Sequence, residues 1–172
     1  EFEKIIDSHT HWGPSLTMGS TVTTQELLSQ QKESGVTHVC IIPFPSTAIA
    51  SNDINIKVLE EAGKVRCFIP YFYIREDFAR IPAEYYGGKW HWMRGVQDAA
   101  SSYQVLDDAE LPQLIADLTK IGKPIVFEEE LAFTERFVGM APGLPLIIPH
   151  LGMLGGNPMD FLRAFKDKDY IY

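Results

Sequence analysis

The strongest constraint on this chain is an alternation. Short continuous apolar runs recur, separated by amphipathic stretches of helical period. The runs begin near residues 4, 37, 65, 92, 124, 145 and 170. A strand apolar at successive positions is covered on both faces. Strand followed by helix, repeated without a shift in composition, is the grammar of a parallel α/β sheet.

The helices carry local signals. Thr23-Thr24-Gln25-Glu26 is a capping box that opens one, and Gly35 ends it. Asn52 to Gly63 is a second, with Ile54, Val58 and Leu59 at helical spacing. Asp107 or Asp108 caps a third, in which Leu111, Leu114, Ile115 and Leu118 share a face, and Gly122 stops it. Leu131 to Met140 and Met159 to Phe165 complete the set, the last opened by Asn157-Pro158. The stretch Tyr85 to Trp92, aromatic and broken by Gly87 and Gly88, reads as a loop leading into a fourth strand at Met93 to Gln97.

Two closures fit this pattern, an open doubly wound sheet and a β/α barrel. No G-x-G-x-x-G turn follows the first strand, which counts against a dinucleotide-binding open sheet. With 172 residues and a net charge of −8, the chain has the size of one domain and no basic cluster for nucleic acid or an anionic membrane. No apolar run reaches the roughly 18 residues of a membrane span, and no basic segment followed by an apolar stretch reads as a secretory leader. The expectation is a cytoplasmic protein with a small-molecule substrate and no nucleic-acid or membrane partner; homo-oligomerisation is left open. Cys40 and Cys67 lie in apolar runs and read as buried thiols rather than a disulfide.

Polar residues gather where strands end. The first strand ends Asp7-Ser8-His9-Thr10-His11, and a period of two puts Asp7, His9 and His11 on one face. Two imidazoles at i and i+2 can hold one metal ion. A lone His-x-His is a weak signal, but Glu128 and His150 end the fifth and sixth strands at equivalent places. Against this, a strand-end histidine is commonly a hydrogen-bonded structural residue. Asp7 can serve merely to orient a neighbour. Glu129 and Glu130 read as a solvated helix start, since carboxylates favour helix N-termini. His38, at a strand start, reads as structural. Trp12, Trp90, His91 and Trp92 either wall a pocket or pack loops, and Trp12, His91 and Trp92 are taken as substrate-binding candidates.

The segment Ile5 to His11 resembles the first-strand signature of the amidohydrolase superfamily. Gly122 to Phe127 resembles its fifth-strand lead-in, Leu144 to Gly152 its sixth strand and His-Leu-Gly turn, and Arg94-Gly95-Val96 its fourth strand. The nearest branch is the amidohydrolase-related group of metal-dependent hydrolases, lactonases and nonoxidative decarboxylases. The resemblance implies a (β/α)8 TIM barrel with one or two divalent metals, zinc foremost and manganese next. It implies two histidine ligands on strand one, one histidine each on strands five and six, and an aspartate on strand eight. A lysine or glutamate on strand four completes some dinuclear sites.

By position His9, His11 and His150 match, and Glu128 stands where histidine is usual. Gln97 and Asp98 lie near the strand-four position. Carboxylate oxygen can ligate zinc, but its charge makes a bound water less acidic and shifts preference toward harder ions. Retained coordination by Glu128 is the favoured reading; a lost ligand is the other. The resemblance implies hydrolysis of an amide, ester or lactone by metal-activated water. The alternatives are a metal-dependent decarboxylase of an aromatic acid and a catalytically inactive ligand-binding barrel. A full barrel takes about 250 residues. The expectation is therefore one barrel domain over 1–172 whose C-terminal part, including the strand-eight aspartate expected as the catalytic base, lies beyond residue 172. A segment so cut should not be stable or active alone.

Overall fold

A computed structural model describes residues 4–91 and 102–172. Among them the chain divides into two compact units, Glu1–Tyr73 with Pro82–Gly87, and Ile74–Ile81 with Gly88–Tyr172.

The first unit runs β1 (Ile6–Ser15), β2 (Ser20–Val22), α1 (Thr24–Ser34), β3 (His38–Pro43), α2 (Pro45–Ala50), α3 (Asp53–Lys64) and β4 (Phe68–Tyr73). β1, β3 and β4 pair in parallel, and β2 folds back antiparallel on the end of β1. The capping box forms as read. Glu26 N–H donates to Thr23 Oγ1 at 3.2 Å and Thr23 N–H to Glu26 Oε2 at 2.7 Å, and Gly35 closes α1 at φ 73°. Leu27, Val39, Ile41, Val58 and Phe68 form the core, with Trp12 packed on its margin.

The second unit holds β5 (Gly87–Trp90, all but its first residue), α4 (Leu111–Ile121), β6 (Ile125–Phe127), α5 (Leu131–Met140), β7 (Leu146–Ile147) and α6 (Pro158–Phe165). β5 to β7 are parallel, with Lys89 opposite Val126 and Trp90 opposite Phe127. Ile171 makes a single parallel bridge to Leu146, where a seventh strand was expected. The core here is aromatic: Trp90 lies 5.5 Å from Phe127 and 5.1 Å from Phe137, ring centre to ring centre. Each unit thus carries its own strands, mostly parallel in the first and all parallel in the second.

Several expectations are corrected. The fourth parallel strand lies at Gly87–Trp90, within the stretch read as a loop. Gly88 is there for packing. A Cβ on Gly88 would stand 2.8 Å from the Ile81 and Ile125 side chains. Residues 93–97 lie outside the described residues. The β1–β2 hairpin and the short helix α2 carried no sequence signal that was recognised. Cys40 is buried on β3, whereas Cys67 precedes β4 and is only partly buried.

Candidate functional site

In the first unit the chemistry sits in the middle of β1, which does not end at His11 as expected but runs on to Ser15. The pairing with β3 slips between Asp7, opposite Val39, and Thr10, opposite Ile41. Three steps along β1 match two along β3, so a bulge interrupts the period-two argument that placed Asp7 with the histidines. Asp7 Oδ1 accepts from His9 N–H at 3.0 Å. The carboxylate thus shapes the bulge that presents His9.

The ring of His9, within the bulge, meets that of His11 edge to face with centroids 4.9 Å apart. His11 stacks on Phe44 at 4.8 Å, and its Nδ1 lies 3.2 Å from the Pro43 carbonyl oxygen. A carbonyl can only accept, so Nδ1 carries the proton and Nε2 presents the lone pair. A backbone carbonyl that fixes the tautomer in this way is the usual support of a metal-binding imidazole. The donor chemistry of this pair fits a divalent metal. Trp12 is turned to structure: its Nε1 donates to Thr24 Oγ1 at 3.0 Å, and Thr24 in turn donates to Glu61.

In the second unit the strand ends carry charge. Lys89, on β5, is fully buried and its ammonium donates to Glu128 Oε2. His91 Nδ1 lies 3.3 Å from the same oxygen, and His150 Nε2 lies 4.0 Å from Oε1. Burial alone would raise the Glu128 pKa. The neighbouring His91 and the Lys89 charge outweigh it and hold the carboxyl well below the usual carboxylate range. Burial pulls the Lys89 ammonium in the direction of proton loss, and the charge of Glu128 opposes it.

The Glu128-Glu129-Glu130 run is not a solvated helix start. Glu129 is buried, and its Oε1 accepts from Trp90 Nε1 at 3.1 Å. Glu130, at the N-cap of α5, accepts from the Tyr103 hydroxyl.

His150 follows β7 in a left-handed turn, with φ of 55°, 52° and 74° at His150, Leu151 and Gly152. Two non-glycine residues in that region are strained. The turn is wedged in place. A Cβ on Gly152 would come within 2.4 Å of the Phe161 ring, and one on Gly155 within 2.1 Å of the Glu129 carbonyl. His150 itself is exposed.

Of the sequence candidates, His9 meets His11 in the first unit, and Glu128 meets His91 and approaches His150 in the second. Trp92, Gln97 and Asp98 lie outside the described residues. Among the described residues no group of three or more His, Cys, Asp or Glu side chains is placed to hold a metal ion, and no helix is long and apolar enough to cross a membrane. Lys89 was missed. Its signal, a lone lysine among Gly-Gly and Trp, is legible only once that segment is known to be a buried strand.

No family model matches the sequence, and no curated protein matches it. Solved structures do match by fold. Amidohydrolase 2 from Bifidobacterium longum subsp. infantis superposes with a TM-score of 0.72 at 18% identity, over 98% of this chain and 71% of that one. A probable 2-pyrone-4,6-dicarboxylic acid hydrolase from Acinetobacter baumannii, with citric acid bound, gives 0.61 at 9% identity, over 94% of this chain and 66% of its own. A 2,6-dihydroxybenzoate decarboxylase complexed with 2,6-dihydroxybenzoate gives 0.53 at 11% identity, over 82% of this chain and 56% of its own. The fold is thus the α/β architecture of these proteins, an incomplete (β/α)8 barrel, in agreement with the resemblance read from the sequence.

Proposed function

We propose that this chain belongs to a metal-dependent hydrolase acting on an amide, ester or lactone bond of a small molecule. The observation that carries the reading is the His9–His11 pair in the middle of β1, with the His11 tautomer set by the Pro43 carbonyl. The fold likeness to a named amidohydrolase and a probable hydrolase supports it. His9 and His11 would hold the ion. Zinc is the first choice and manganese the second. The ion, when bound, would acidify a water and polarise a carbonyl. The chain's own residues supply orientation: Asp7 fixes the His9 backbone, and Pro43 fixes the His11 proton.

The test is metal analysis of the full chain beside a His9→Ala/His11→Ala double variant, with amide, ester and lactone substrates assayed in parallel. Stoichiometric zinc or manganese lost in the double variant is the expected result. Metal retained in the double variant would sink the assignment. The fold likeness to a decarboxylase favours a second reading. Release of carbon dioxide from an aromatic acid, without cleavage of any ester or lactone, would select it.

A further inference from the structure

The fifth-strand position carries a carboxylate where the resemblance expects a neutral imidazole, and the fourth strand brings a fully buried lysine against it. Lys89 has no solvent exposure, and its ammonium bonds to Glu128 Oε2. A buried ammonium must be neutralised, because its desolvation is not otherwise recovered. Glu128 is almost as buried, at 7% exposure. The oxygen that takes Lys89 is also 3.3 Å from His91 Nδ1, so its surroundings are already crowded. A dication sharing this carboxylate would stand close to a buried ammonium, in a low-dielectric setting where that repulsion is strong. The negative charge that would make Glu128 a ligand is already committed.

We propose that Glu128 is the fixed counter-ion of Lys89 and not a metal ligand, the ion pair occupying the place of a ligand at the ends of β5 and β6. Any divalent ion is then held without Glu128. Replacing histidine by glutamate is matched by the lysine, and the two charges belong together: neither is tolerated alone. His91 and His150 flank the pair, and the wedged turn at Gly152 and Gly155 holds His150 against it.

The metal half of this inference rests on the proposed function; the ion-pair half does not. The full chain is therefore tested first in excess chelator. Urea unfolding compares wild type, Lys89→Met, Glu128→Gln and the double variant. Each single change should lower the midpoint, and the double variant should recover most of the loss. Losses that simply add would overturn the pair. Zinc is then titrated into the same proteins. The double variant should bind zinc within about threefold of wild type, whereas losing a ligand costs at least the roughly tenfold typical even of an outer-shell partner. A tenfold or larger loss shared by the double variant and Glu128→Gln would overturn the proposal. Glu128→Asp keeps both charges and guards against misfolded variants. Its zinc affinity should stay near wild type, and a tenfold loss there overturns the proposal equally. Wild-type protein that takes up neither zinc nor manganese ends the metal reading, while the chelated arm still decides the ion pair.

Discussion

The two units handle buried polarity in different ways. In the first, the fully buried Asn55 is tied mainly to backbone. It accepts from Tyr73 N–H at 2.8 Å and donates to Tyr73 O at 3.1 Å, and Tyr85 OH donates to Asn55 O at 2.7 Å. His11 meets the Pro43 carbonyl in the same manner. In the second unit, charged side chains bond to other side chains: Lys89 to Glu128, Trp90 to Glu129, Tyr103 to Glu130. Bonds to backbone fix where a segment runs and set which atom of a histidine faces outward. Bonds between side chains consume the groups they bring together. The proposed metal chemistry therefore falls to the histidines of the first unit and not to the carboxylates of the second.

The largest expected effect probes the aromatic core beneath those carboxylates. Trp90 is fully buried among Phe127, Phe133 and Phe137, and its Nε1 holds Glu129. Trp90→Ala should cost about 3–5 kcal/mol through lost burial and the cavity left behind. Urea unfolding measures it, and a cost below about 1 kcal/mol would mean that the cluster collapses to fill the space. The counterpart in the first unit is Asn55→Leu. It leaves the N–H and C=O of Tyr73 buried without their amide, at about 1–3 kcal/mol for an unsatisfied group. Hydrogen exchange at the amide of Tyr73 should accelerate in this variant. Unchanged exchange there would dissolve the contrast between the units.

What was legible in the sequence was local. The capping box joins residues three apart, and the α4 stripe of Leu111, Leu114, Ile115 and Leu118 repeats within two turns; both are found. The histidines of β1 were legible because strand and motif are contiguous, although the strand runs past them to Ser15. What failed was non-local. The partners of Glu128 and Glu129 on β5 lie 39 positions away, so the acidic run looked like a helix start. Gly87-Gly88 looked like loop punctuation, because the isoleucines that demand a glycine come from Ile74, Ile81 and Ile125. The bulge at Asp7 could not be read, since a slip in register belongs to two strands at once.

A smaller effect tests that local legibility. Thr23→Ala removes one half of the capping box and should cost about 1 kcal/mol. The hydrogen bonds from Thr23, backbone first and then side chain, hold the Glu26 carboxyl below its ordinary value. A depressed carboxyl stabilises the fold above the unfolded pKa of about 4.3 and loses that contribution as pH falls through the folded value. The gap between wild type and Glu26→Gln should therefore narrow on acidification below about pH 4. A constant gap in thermal midpoint from pH 7 to 3 would count against the box.

The smallest effect concerns the two thiols, both in the first unit. Burial pushes the Cys40 thiol up to about 11, against a hydrogen bond with Tyr71 and with a small further push from the charge of Asp7. Cys67 is partly exposed, with Sγ 3.4 Å from Gln31 Oε1. A thiol reagent needs the thiolate and access to it. At pH 8 Cys67 should react first, and Cys40 only at the rate of opening. An unfolded cysteine ionises near 8.5, so the buried thiol favours the fold fully below that pH. The contribution fades as pH rises from there toward about 11. Wild type should thus lose slightly more stability than Cys40→Ala between pH 8 and 10. If Cys40 labels as fast as Cys67 in the folded protein, β3 is less closed than its burial implies, and the backbone-directed order assigned to the first unit fails at its central strand.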